Sequence, residues 1–226
     1  MARQSYQDAL DRLREDVLFM GELVLERVRM GLDALARKDE RLARQVIESD
    51  DEINDMYLDL EGDCVDLIAL QQPVAGDLRF IAASFKIITD LERVADLATN
   101  LGEYALDAER DLYPDVDVQS IGDAVVRMIE DAMEAYAEED VSACHAVAER
   151  DDEVDEMCER ASETVVRELI GTELDPGNGD RDVEAFMTDV SRLLLTVRDL
   201  ERVGDHAVNI AARTLYMVEN DDSLLY

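Results

Sequence analysis

The sequence predicts an all-α protein built as two tandem antiparallel three-helix bundles, with six long helices in all. Three observations predict this. Apolar residues recur every three or four positions along nearly the whole chain, as a buried helix face does, and no segment sustains strand-like alternation. Glycine and proline are scarce, and the three prolines, Pro73, Pro114 and Pro176, fall between long tracts. The second half also echoes the first: positions 90–100 read DLERVADLATN and positions 199–209 read DLERVGDHAVN, with eight of eleven positions identical.

The first helix is expected over 4–37, where Leu10, Leu13, Val17, Met20 and Val24 step by threes and fours. A second follows over 39–71 and ends ahead of Pro73. The third, 75–108, carries Leu78, Ile81, Phe85 and Ile88 at helical steps, and the next step lands on Glu92. Positions 111–120 (DLYPDVDVQS) look like a linker between halves placed at 1–112 and 119–226. Helices over 119–138, 140–170 and 182–219 repeat the scheme. In the last of them Met187, Val190, Leu194 and Val197 lead to Glu201 as their counterparts lead to Glu92. A second echo ties the middle helices together, because Asp50, Asp51, Glu52, Ile53 and Met56 parallel Asp151, Asp152, Glu153, Val154 and Met157. The loop over 171–182 (GTELDPGNGDRD) is expected to be the most mobile segment.

Composition narrows the function. The chain has 226 residues and a formal charge of −34, from 56 acids against 22 bases, and only Lys38 and Lys86 among the bases are lysines. Such a surface repels polyanions, so nucleic acid and anionic membrane surfaces are poor partners and a protein partner is expected. It also suits a cytoplasm of very high salt, where screening relieves self-repulsion, so a halophile is expected. Cys64, Cys144 and Cys158 form no Cys-x-x-Cys pair and read as buried small hydrophobes in a reducing compartment. The polar N-terminus and the lack of a long uncharged apolar stretch predict a cytoplasmic protein that reaches a membrane only through partners.

The sharpest signal is a set of acids. Two acids four apart carry little information in a chain this acidic, but the repetition adds specificity. Helical spacing puts Glu92, Asp96 and Asn100 on one face, and Glu201, Asp205 and Asn209 repeat the ladder, each glutamate in line with the apolar stripe. If the chain folds back near Pro73, then Asp50, Asp51, Asn54 and Asp55 come level with Glu92 and Asp96. Carboxylates withdrawn from water need compensation, and three or more from two helices make an oxygen-only site for divalent or trivalent metal ions such as iron, magnesium, calcium or manganese, with zinc also feasible.

The competing reading needs no metal: Arg93 and Arg202, three residues before Asp96 and Asp205, would form intrahelical ion pairs, and Asn100 and Asn209 would bond to a neighbouring helix. Catalysis finds little support. His206 stands five residues after Glu201 where a di-iron bundle requires Glu-x-x-His, so it reads as a supporting or surface residue, and His145 as a packing residue. Phosphate-cradling and nucleophile-elbow motifs are absent from the sequence.

The duplicated D-L-E-R-V-x-D core, with positions 71–79 (QQPVAGDLR) ahead of its first copy, resembles the PhoU family of phosphate-uptake regulators over essentially the whole chain. The resemblance implies side-by-side three-helix bundles that bind metal clusters, iron or zinc in some members, through E(D)-x-x-x-D motifs. Those motifs map onto Glu92 with Asp96 and onto Glu201 with Asp205. The companion motif on the preceding helix maps onto Asp50 with Asn54 and onto Asp151 with Asp155. Asn54 departs from the acidic pattern, Ala95 replaces the glycine kept at Gly204, and the second half lacks the QQPVAGDLR turn. By resemblance the protein restrains the phosphate ABC transporter through its ATPase and, in bacteria, a sensor kinase; a homodimer without enzymatic activity is expected. Iron, zinc or magnesium would be the bound ion, and no further domain is expected. Joined to the acidic surface, the resemblance makes a halophilic archaeon the expected source.

Overall fold

The computed structural model describes residues 2–71, 73–107, 116–171 and 180–225, and every helix and turn among them fits the all-helical expectation. In chain order the helices are α1 (Ala2–Arg37), α2 (Glu40–Glu48), α3 (Asp50–Gln71), α4 (Ala75–Leu106), α5 (Val118–Glu138), α6 (Val141–Gly171) and α7 (Asp180–Glu219). The six expected tracts are present, and the second is interrupted once. At Ser49 the backbone turns to φ −92° and ψ 1°, and the Ser49 hydroxyl donates to the carbonyl of Val46 at 2.8 Å. That side-chain bond competes with the helix ladder just before Asp50. In α6 the matching stretch runs on unbroken. Most of the expected linker (111–115) and of the expected mobile loop (172–179) lies outside the described residues.

One local device starts the middle helix of each half. Lys38 and Glu139 adopt left-handed conformations (φ 51° and 57°) that stop α1 and α5. The next residue then caps the new helix. Asp39 accepts from the backbone N–H groups of Arg41 and Leu42 at 2.9 and 3.1 Å, and Asp140 accepts from Ser142 and Ala143 at 2.8 and 3.1 Å.

Helices α1, α2–α3 and α4 pack as one group and α5, α6 and α7 as another, and the groups meet along α1 with α5 and α4 with α7. A single apolar cluster runs through both groups, and Leu10, Leu13, Val17, Met20 and Val24 all lie in it. Gly122 on α5 sits so close to α1 that a Cβ there would collide with Leu32. Near one end of this contact Tyr136 is buried against Phe80, with ring centroids 6.3 Å apart, and the Arg14 guanidinium lies 4.9 Å from the Phe80 centroid. The Tyr136 hydroxyl is 2.7 Å from that of Ser84, which donates to the Phe80 carbonyl. All three cysteines are buried and unbridged, as expected. Among the described residues no helix is long and apolar enough to cross a membrane.

Some expected core positions are exposed. Leu78 and Met187, which open the apolar stripes of α4 and α7, are 42% and 44% exposed, so the buried part of each stripe begins one step later, at Ile81 and Val190. Glu201 is exposed while Glu92 is half-buried, so only the first-half glutamate continues the buried stripe. His145, expected to pack, is exposed on α6.

Candidate metal centre

The two acidic ladders lie where their hairpins bring them, but the two halves compensate their charge differently. In the first half, α3 folds back on α4 so that Asp50 faces the turn that carries Asp96 and Thr99. One Asp50 oxygen accepts from the Asn54 amide at 2.9 Å, and the other accepts from the Thr99 hydroxyl at 3.3 Å. Arg93 sits 3.4 Å from both Glu92 and Asp96. Partial burial raises the pKa of Glu92, and Asp96 and Asp50 add to it, opposed by Arg93 and His206. Burial and then Asp50 raise Asp96, opposed by Arg93 and by the charge of Arg202 on α7. Asp51 and Asp55, expected alongside, are exposed on α3, since helical rotation carries them off the facing side.

In the second half the donors are missing. Asp155 stands where Asn54 stands in the first half, and Val208 replaces Thr99. Asp151 is pushed up to about 6, first by burial and then by Asp155, Asp205, Asp152 and Glu201. One of its carboxylate oxygens is buried with no hydrogen-bond partner. A Cβ built on Gly204 would lie 3.3 Å from that oxygen, so glycine leaves the space beside it open. Asp155 is raised by burial and then by Asp205 and Asp152, and Glu201 by burial and then by Asp155 and Asp205. Arg202 does not compensate them. Its guanidinium is 3.8 Å from Asp199, one turn earlier, so the intrahelical pair expected with Asp205 does not form, whereas that of Arg93 with Asp96 does. Beneath the cluster lies Cys158, whose thiol is pushed to about 12 by burial and then by Glu201, Asp155, Asp151 and Asp205.

Asn100 and Asn209 are engaged elsewhere. The Asn100 amide donates to Asp199 at 3.1 Å, and the Asn209 amide donates to Asp90 at 3.2 Å. These reciprocal bonds join α4 to α7 across a pseudo-twofold relation between the halves. Tyr104 adds a 2.8 Å bond to the fully buried Asp199, and a ring nitrogen of His206 lies 2.8 Å from Asp90. The amides of both asparagines are therefore committed to the seam. Asp90 and Asp199 were not foreseen as the partners of these asparagines, although their place at the head of both DLERV repeats was the available signal.

Among the described residues no three His, Cys, Asp or Glu side chains converge closely enough to form a ready coordination sphere. The donor set of the second half still fits a hard cation, because it offers only acid oxygens, one of them orphaned, with no cationic side chain beside them. The first-half set fits less well, since Arg93, Asn54 and Thr99 already supply charge and donors.

The PhoU domain family profile matches residues 17–105 and 118–214. The chain is 36% identical over 223 residues, 97% of its length and 82% of the relative's, to a protein of Pseudomonas putida named phosphate-specific transport system accessory protein PhoU homolog. It is 32% identical to PhoU homolog 1 of Methanothermobacter thermautotrophicus, covering 94% of each chain. The crystal structure of PhoU from Pseudomonas aeruginosa superposes with a TM-score of 0.86 at 33% identity, over 96% of this chain and 100% of that one. A phosphate transport system regulatory protein PhoU from Streptococcus pneumoniae gives the same TM-score at 25% identity, over 96% and 98% of the two chains.

Proposed function

The chain belongs to the PhoU family, and from that premise we propose that it is a metal-binding negative regulator of phosphate uptake acting on the ATPase of the phosphate ABC transporter. In a bacterial setting a sensor kinase is a second target. The relatives' names support a role in phosphate transport, and the acidic, lysine-poor surface favours a protein target over nucleic acid or lipid. On this reading the protein is a cytoplasmic homodimer, divided near residues 112–119 into two repeats, that meets the membrane only through the transporter. It is a binding protein, not an enzyme. A halophilic archaeal source remains part of this reading, and its high-salt component requires the melting temperature to rise with added salt.

The observation that carries the metal reading is the orphaned, buried oxygen of Asp151 amid Asp155, Glu201 and Asp205. These four residues would hold an iron, zinc or magnesium ion, which would neutralise the repulsion between α6 and α7. Asp50, Asn54, Glu92 and Asp96 form the weaker first-half counterpart. A metal-free scaffold is the second reading, favoured at the first half by the Arg93 pairs. Metal analysis separates the two. Glu201→Ala with Asp205→Ala should lose most bound metal while helicity stays unchanged, and Glu92→Ala with Asp96→Ala should lose less. Equal metal content in wild type and the Glu201/Asp205 variant would refute the assignment. Deleting the gene should leave phosphate uptake unrestrained in phosphate-rich medium.

A further inference from the structure

We propose that the tip of the α3–α4 hairpin is the surface through which the protein docks its transporter partner, engaging an apolar groove rimmed by Lys and Arg. The proposal rests on the transporter reading above and adds a location and a chemistry to it. Residues 67–76 are ten consecutive positions without a charge, the longest such run in a chain where 35% of residues are charged. A charge-free run in so acidic a chain belongs in the core, yet past the buried Leu67 its described side chains are mostly at the surface. Leu70 and Val74 are 72% and 68% exposed, and Ile68, Leu78 and Val65 are exposed beside them. The antiparallel register that sets Asp50 against Thr99 brings Leu70 level with Leu78, so the apolar side chains of both helices share one end of the hairpin. Clustered exposed apolar side chains of this kind mark interaction sites.

Acids border the tip. Asp66 is exposed next to Val65, and Asp63 is pushed upward by partial burial and then by Asp16, Asp59 and Asp66 around it, opposed by Arg12. This concentrated negative rim selects the occupant. A second copy would bring the same acids against themselves, and an anionic leaflet would be repelled. A protein groove that is apolar at its centre and basic at its edge satisfies both the tip and the rim. The tip lies about 27 Å along α3 from Asp50, so docking there leaves the acidic clusters free.

The test measures binding of the purified phosphate-transporter ATPase from the same organism to wild type, to Leu70→Glu with Val74→Glu, and to Ile170→Glu, an equally exposed side chain near the end of α6. The substituted side chains are solvent-facing, so the fold should hold, which circular dichroism and an unchanged metal content check. The double variant should bind at least about 30-fold more weakly, as expected for a central apolar anchor replaced by a charge, and Ile170→Glu should bind as wild type does. Equal binding by wild type and the double variant overturns this inference and leaves the transporter reading intact. A wild type that does not bind the ATPase overturns both. A dimer, or an attachment to phosphatidylcholine vesicles, that the double substitution abolishes would assign the tip to a second copy or to lipid and overturn the inference.

Discussion

At the scale of single residues, the contrast between Asp50 and Asp151 decides what each half can bind. Both occupy the same place at the head of an acidic ladder, but Asp50 is satisfied by Asn54 and Thr99, whereas Asp151 meets only other acids and one of its oxygens has no partner. Asp151 ionises near 6 when folded, against 3.8 unfolded, so the folded state holds the proton more tightly. The associated stability is fully present below 3.8 and is lost as pH rises through about 6. In chelator the protein should therefore melt at a higher temperature at pH 5 than at pH 7, and Asp151→Asn should remove part of that difference. After solvent screening the gain for the variant at pH 7 is about 1 kcal/mol, or about 2–4 °C in Tm for a chain of this size. Calorimetry at the two pH values checks it, and a variant as pH-dependent as wild type would show that Asp151 carries no such burden. This distinction was half visible in the sequence. Asn54 could be read as a departure from the acidic pattern, but the donor that completes Asp50 is Thr99, one helix away.

At the scale of helices, the seam between α4 and α7 makes its own prediction. Asp199 is fully buried and keeps Tyr104 and Arg198 if Asn100 is lost, while the partly exposed Asp90 keeps His206 if Asn209 is lost. Asn100→Ala should cost about 1–2 kcal/mol and Asn209→Ala less than about 1 kcal/mol, by chemical denaturation. Metal content should not change in either, and a loss of metal would return both asparagines to the ligand set. The elements themselves were legible because helical periodicity is local: steps of three and four, proline punctuation and the repeated DLERV core place all six tracts within a few residues. The break at Ser49 was not, since no glycine or proline marks it and the Ser49–Val46 bond emerges only once the chain is folded. The seam was missed because contacts between halves depend on how α4 crosses α7, which no spacing within either helix encodes. Arg202 shows the same limit, since its position three residues before Asp205 predicted an ion pair that its 3.8 Å approach to Asp199 replaces.

At the scale of the whole molecule, a charge of −34 on 226 residues makes self-repulsion a global destabilising term. Raising ionic strength from 0.1 to 1 M shortens the screening length from about 10 to about 3 Å, so the melting temperature should climb with added KCl. Each kcal/mol of relieved repulsion corresponds to about 2–4 °C. A melting curve indifferent to salt would count against a high-salt origin. The reciprocal Asp–Asn clasps between α4 and α7 carry a further consequence. The same faces also share the apolar core, so the two repeats are held by burial as well as by polar bonds. Neither repeat can slide along the other without stripping the buried Asp199 of its Asn100 and Tyr104 donors, so the pair is keyed to a single register.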